Sequence, residues 1–331
     1  MTRSLRAKAA MAMAAALCTL SVAACGGSGD DGGTATASGS ADGAPETTEL
    51  TVGVQAFAEV AALYIAVDQG LFEDEGLTVT PQVGTGGGAG LIAGLISGDL
   101  NVVYTNYVSV VQAASEGLPL KVVRENDRPG PQALYSLPAS GITKPADLEG
   151  KKIAINGLGN IMELTARAAL EDNGVDPDGV QFVELPPPDM LAALSAGNVD
   201  AAWLAEPFVT IAGSKGFVEV LDVFSGPTED LPVAGWATST QFAQENPNTV
   251  AAFTRAMDAA MQKVDDDPSL VAEIVPTYTQ LTPEVAAQLN PINFAVESNL
   301  GDISQVEELM REHGFIEDKV DVEALIAAQG D

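Results

Sequence analysis

The sequence predicts an α/β body of two lobes, and three observations carry that expectation. Apolar runs rich in β-branched residues alternate with segments whose apolar residues recur at helical spacing, the pattern of β-α-β units and of largely parallel sheets covered on both faces. That alternation occurs twice, on either side of a turn-rich stretch at residues 138–144. The 331 residues, 46% hydrophobic and 18% charged, supply both a large core and the length of two domains.

Residues 50–54 (LTVGV) read as the first strand. In the helix that follows over 59–69, Val60, Leu63, Tyr64 and Val67 share a face, and Gly70 ends it as a C′ glycine. Residues 77–83 alternate as a strand and lead through a glycine-rich turn at 84–88 into a helix over 89–96. A strand at 101–104, a helix at 107–116 and a strand at 120–123 complete the first set. In the second set, a turn at 147–150 precedes a strand at 152–155 and a helix over 160–173 with Ile161, Leu164, Ala168 and Leu170 on its apolar side. A strand at 180–185 is stopped by three prolines, and Asp189 is expected to cap a helix running to Ala196. Strands at 201–204 and 218–222 follow. Helices are then expected at 240–265, 268–278, 283–289, 303–312 and 322–329. Ligands of such a body are expected between the lobes.

Charge and composition exclude several classes of function. Fifteen Lys and Arg against 46 Asp and Glu give a formal charge of −31, which repels a phosphate backbone, so no nucleic-acid partner is expected. One histidine, His313, and two cysteines, Cys18 and Cys25, are too few for multi-ligand metal sites or nucleophilic triads. Neither a metal nor a cofactor is expected, and no residue is assigned a catalytic role.

Arg3, Arg6 and Lys8 followed by an uncharged run at 9–22 form the n- and h-regions of a signal peptide, too short to span a bilayer. The run ends in Val22-Ala23-Ala24-Cys25, which resembles the lipobox of bacterial lipoproteins; that resemblance makes Cys25 the acylated first residue after removal of residues 1–24. Loss of three positive charges takes the net charge from −31 to −34, so the body is expected to be held at the membrane by its lipid and not by charge. Residues 25–48, poor in apolar periodicity, read as a flexible tether.

Residues 61–77 (AALYIAVDQGLFEDEGL) resemble the signature of nitrate/sulfonate/taurine-type substrate-binding proteins of ABC importers, a group that also includes binders of the thiamine pyrimidine precursor. Residues 92–99, 144–154 (KPADLEGKKIA) and 193–208 (ALSAGNVDAAWLAEPF) are similar in the same order, and the likeness runs from about Leu50 to Ala260. Asn101 departs from the pattern, standing where the family usually has an acidic residue. The resemblance implies a type II periplasmic-binding-protein fold: residues 49–136 with 236–331 as lobe 1, 137–235 as lobe 2, and crossover strands near 134–137 and 233–238. Together with the lipobox at Cys25, it implies an extracytoplasmic, lipid-anchored monomer that captures a small organic solute, sulfonate-like, taurine-like or pyrimidine-like, for an ABC permease. The chain contains no Walker sequence, so the ATPase is expected to be a separate subunit. An enzyme resembling the pyrimidine synthases of the same fold is the alternative, as is a ligand sensor without transport. The synthases rely on a cysteine-rich motif that this chain lacks.

The resemblance places the ligand at loops after the strands, and three loops suit it physically. Thr85, Gly86 and Gly87 sit where backbone N–H groups and a helix dipole could hold an anion, unless the glycines only make a turn. The second loop offers Asn156, Gly157 and Asn160, with Asn160 and Glu163 also at capping-box spacing. In the third, Phe57 could stack on a ligand or belong to the core, and Glu59 is a candidate beside it. Glu206, directly after an apolar strand, is expected to meet a ligand amine, with a helix cap or ion pair as the other reading. Asn106 and Trp236 complete the expected contacts, with Tyr107 and Trp203 as packing residues nearby. Arg124 could face an anion or form a local salt bridge, and His313 is expected to be an exposed helix-end residue.

Overall fold

A computed structural model describes residues 43–84 and 86–327 of the chain; the expected signal peptide, Cys25, most of the expected tether and Thr85 lie outside the described residues. The tether ends earlier than expected. The Glu46 carboxylate accepts hydrogen bonds from the backbone N–H groups of Asn248 and Thr249, and the Thr47 N–H donates to Thr249 Oγ1 at 3.0 Å. An acidic side chain on free N–H groups at a helix start is favourable by charge and by hydrogen bonding.

The first sheet opens with β1 (Glu49–Val54), then α1 (Ala61–Asp68) and α2 (Leu71–Asp74), separated by Gly70 at φ 71°. Next come β2 (Thr78–Val83), α3 (Gly87–Ser97), β3 (Val102–Asn106), α4 (Tyr107–Ser115) and β4 (Leu120–Asp127). β4 runs four residues beyond its apolar start, and its polar end, Arg124 to Asp127, is buried. The chain then crosses to a second sheet: β5 (Ala133–Ser136), β6 (Lys152–Ile155), α5 (Ile161–Asp172), β7 (Gln181–Glu184), α6 (Pro187–Ser195), β8 (Ala201–Leu204), α7 (Phe208–Ser214) and β9 (Val218–Asp222). Asp189 does not cap α6: Pro186 holds the cap position and Pro187 and Pro188 open the helix, since fixed φ and a missing N–H cost nothing there.

The chain returns as β10 (Ala234–Ser239), followed by α8 (Thr240–Glu245), α9 (Pro247–Asp266), α10 (Ser269–Tyr278), α11 (Pro283–Ala286) and α12 (Ile303–Glu312). The single helix expected over 240–265 is thus two, because Pro247 disfavours helical backbone at Asn246 and starts a new helix. The helix expected at 322–329 is a 3₁₀ turn at Glu323–Leu325, after which Ile326 pairs with Val122.

Each sheet has five strands, in the orders β2-β1-β3-β10-β4 and β7-β6-β8-β5-β9. β10 is antiparallel to both β3 and β4, and β5 is antiparallel to both β8 and β9, so each sheet is mixed where a largely parallel one was expected. The expected crossover positions are therefore strands inside the sheets. β5 belongs to the second sheet, not to the first lobe as a boundary at 136 would have it, and the passages between sheets occupy 128–132 and 223–233.

On one face of the first sheet α9 packs against α1 and α2, with Phe253 stacked on Phe72 at 5.4 Å between ring centroids. Trp236 of β10 meets Phe253 edge-on at 5.6 Å and is fully buried.

Candidate functional site

The carboxyl ends of β1, β3, β4, β6 and β8 converge with the residues preceding β5 and β10 around a cavity of about 40 Å³. Its lining draws on both sheets: Gln55, Phe57, Glu59, Tyr104, Asn106 and Asp127 come from the first, and Gln132, Asn156 and Trp203 from the second and its approach. In open α/β sheets the strand ends are where ligands collect, since loops there diverge while the sheet holds their roots rigid. A wider pocket of about 310 Å³ adjoins it through Gln55 and Asn156, which line both; its other walls include Gly86, Gly87, Glu184 and Pro186 to Pro188.

Side chains link the sheets across the cavity. Asn106 caps α4 by accepting from the Ser109 N–H at 2.9 Å, and the same oxygen accepts from the Ile161 N–H, at the start of α5, at 3.3 Å. Asn156 donates to Gln55 Oε1 at 3.1 Å and accepts from Asn160 Nδ2 at 2.5 Å. Asn160 is also the cap of α5, taking the N–H groups of Met162 and Glu163, while Glu163 accepts from the Gly159 N–H instead of closing a capping box. Gly87 has φ 62°, and a Cβ there would come within 3.3 Å of the Asn156 carbonyl oxygen, so glycine is what lets the start of α3 approach the second sheet. Gly157 stands beside this contact and lines neither pocket.

The electrostatics are set by carboxyl groups. Glu59 Oε1 accepts from Gln132 at 3.2 Å, and Asp127 Oδ1 accepts from Tyr104 Oη and Asn126 Nδ2, each at 2.9 Å. Glu59 Oε2 and Asp127 Oδ2 are buried, and neither has a hydrogen-bond partner among the described residues. Burial pushes the Asp127 carboxyl up to about 7, against the hydrogen bonds from Asn126 and Tyr104 that favour its charged form, with the charge of Glu125 adding to the rise. Burial, and then the charge of Asp127, raises Glu59 well above the usual carboxylate range.

Several expected contacts fall elsewhere. The Glu206 carboxylate is fully buried and taken up by Thr210 N and Oγ1 and by Asn290 N and Nδ2, at 2.7–3.1 Å, so it fastens α7 to the loop after α11 and lines neither pocket. Trp236 is core: its Nε1 donates to Asn126 Oδ1 at 2.9 Å, behind the cavity wall. Phe57 lines the cavity while packing edge-on against Phe208 at 6.4 Å between ring centroids. Trp203 lines it too, anchored to Thr165 at 3.1 Å. Arg124 points away, to Asp258 at 2.6 Å and to the carbonyls of Ala295 and Val296. His313 is half-buried, with Nδ1 3.6 Å from Glu171 Oε2, not an exposed helix end. Thr85 lies outside the described residues.

The residues that sequence reasoning missed are Asp127, Tyr104 and Gln132. The polar run Glu125-Asn126-Asp127 directly after an apolar strand carries the same signal that drew attention to Glu206.

The NMT1/THI5-like family model matches residues 58–270, well over half of the chain. The chain belongs to the NMT1/THI5-like family. The matched span takes in α1, both sheets except β1, and the cavity from Glu59 to Ala234. Among its relatives is the taurine-binding periplasmic protein of Escherichia coli, 28% identical over 229 residues, which span 68% of this chain and 69% of that protein. The alkanesulfonate-binding protein SsuA from Xanthomonas axonopodis pv. citri, solved bound to MOPS, superposes with a TM-score of 0.72 at 19% identity, over 85% of this chain and 98% of that one. The periplasmic nitrate-binding protein NrtA from Synechocystis superposes with the same TM-score at 16% identity, over 86% of each chain. These two structures share the α/β periplasmic-binding-protein fold with this NMT1/THI5-like chain.

Proposed function

We propose that this chain is the solute-binding component of an ABC importer, working outside the cytoplasm and passing a small organic solute to a permease driven by a separate ATPase subunit. The observation that carries this reading is the cavity where strand ends of both sheets meet, in a chain of the NMT1/THI5-like family. The two sheets with their helices act as lobes that hinge at 128–132 and 223–233 and close on the solute. Taurine-like, sulfonate-like and pyrimidine-like solutes are the classes to try first. An enzyme of the same fold is the weaker reading, because no cysteine or histidine among the described residues lines the cavity or the pocket beside it.

A thermal-shift panel on the purified protein tests this, with taurine, alkanesulfonates, nitrate and aminopyrimidines. A solute at 100 times its dissociation constant adds about 2.7 kcal/mol, which raises the midpoint by several degrees. A flat panel, together with no small molecule released from the denatured protein, would sink the reading.

The same proposal holds the protein at the outer face of the membrane through acylated Cys25. Cys25→Ala is expected to move the protein from the membrane fraction to the soluble fraction in cell fractionation; unchanged membrane retention rules out the anchor.

A further inference from the structure

We infer that the inner cavity is a subsite for a basic nitrogen group, in which the carboxyls of Glu59 and Asp127 receive the ammonium or amidinium end of the solute. This deepens the solute-binding reading and rests on it. The geometry begins with two oxygens: Glu59 is 3% exposed and Asp127 0%, both line the cavity, and Glu59 Oε2 and Asp127 Oδ2 have no hydrogen-bond partner among the described residues. Their sister oxygens are engaged by Gln132, Tyr104 and Asn126, so the orientation of each carboxyl is fixed and the free oxygen is an acceptor awaiting a donor.

Among the described residues, no lysine, arginine or histidine lines the cavity. Arg124 is held by Asp258 and the carbonyls of Glu125, Ala295 and Val296, and Arg128 by Glu125 and Asp302, and neither lines the cavity. The other groups packed around the pair are acidic or phenolic: Glu125 on β4, Tyr104 on β3, Tyr107 on α4, Tyr278 on α10, and Glu206 after β8. A sulfonate or nitrate entering alone would bring acceptors to acceptors. An ammonium brings donors and the opposite charge, the combination that makes a strong hydrogen bond to a carboxylate.

Size agrees with a head group. A cavity of about 40 Å³ has room for about three water-sized groups, enough for –NH₃⁺ or an amidine but not for a whole organic solute. The remainder would extend past Gln55 and Asn156 into the wider pocket beside Gly86 and Gly87. Burial raises both carboxyls above their ordinary range, and a cation brought into the cavity would favour the charged form, whose free oxygens accept its hydrogen bonds.

The test uses matched pairs on the full-length protein by titration calorimetry: taurine against isethionate, 3-aminopropanesulfonate against propanesulfonate, and benzamidine against benzamide. At least one basic member is expected to bind about 100-fold more tightly than its partner, the scale of a buried charge pair with one side removed. Glu59→Gln and Asp127→Asn, near-isosteric changes checked for folding by circular dichroism, are each expected to cut that preference below tenfold. Glu245→Gln, on the exposed surface of α8, is expected to leave it intact. Equal binding within the pairs, retention of the preference in both cavity variants, or release from the denatured protein of a solute with no basic nitrogen would overturn the amine subsite and leave solute binding standing. No binding by any compound, with no solute released, would overturn both.

Discussion

Without ligand, the Asp127 carboxyl is expected to lower the stability of the protein as pH rises from about 4 to about 7, and Asp127→Asn is expected to remove that share of the loss. The cause is the difference in proton affinity between the folded and unfolded states. Unfolded, an aspartate carboxyl has its ordinary pKa of about 4; folded, Asp127 holds its proton up to about 7 because burial disfavours the anion. Below pH 4 the group is neutral in both states and its contribution is fully present. Between 4 and 7 the unfolded chain releases the proton while the folded chain keeps it, so stability falls by about 1.4 kcal/mol per pH unit for this group. Above 7 both states are ionised and the curve levels. Glu59, raised by the same burial, extends the fall to higher pH. Carboxyls lowered in the fold, such as Glu46 and Asp147, act in the opposite direction below their ordinary range, so the difference between parent and variant is the quantity to measure. Urea unfolding of both proteins at pH 4, 5.5, 7 and 8.5 checks this. Parallel curves would mean that the Asp127 proton affinity is unperturbed.

Trp236→Ala is expected to cost about 3–5 kcal/mol, as large aromatic truncations in a closed core do. The indole is fully buried between Tyr104 and Phe253, and its Nε1 donates to Asn126. Asn126 in turn donates to the Glu59 carbonyl and to Asp127, so the tryptophan supports the cavity wall from behind. Trp236→Phe keeps most of the packing but strands Asn126 Oδ1 without its donor, for an expected loss of about 1–3 kcal/mol. Equilibrium unfolding measures both. A variant of normal stability and weakened solute affinity would return Trp236 to the ligand, where sequence reasoning placed it.

The strands and most helices were legible because each is marked by local signals: alternating apolar residues in β1, a glycine after α1, a side-chain cap at Asn160. The mixed sheets were not, because β5 and β10 take their partners from strands far away in sequence, and no periodicity records a partner. The site divides along the same line. Phe57, Glu59, Asn106 and Asn156 were found from strand ends followed by polar or aromatic residues. Glu206 satisfied that rule equally well, yet Thr210 and Asn290 capture its carboxylate, and Asn290 lies 84 residues along the chain. Asp127 was passed over because a run of charged and amide residues reads as a solvated strand end; here it is interior, covered by elements from both halves of the chain.

The place of β10 in the first sheet also governs the order in which the molecule can assemble. β3 and β4 are not neighbours; the slot between them stays open until Ser239 has been made and the strand inserted. During synthesis the four earlier strands therefore cannot form a finished sheet, and two central edges stay bare while the whole second sheet is still being added. The first sheet closes only by a contact between distant parts of the chain, which makes folding slower and less local than the β-α-β order suggests. For the export proposed above this arrangement is an advantage, since truncated lengths short of β10 lack the strand that would lock them into a finished sheet.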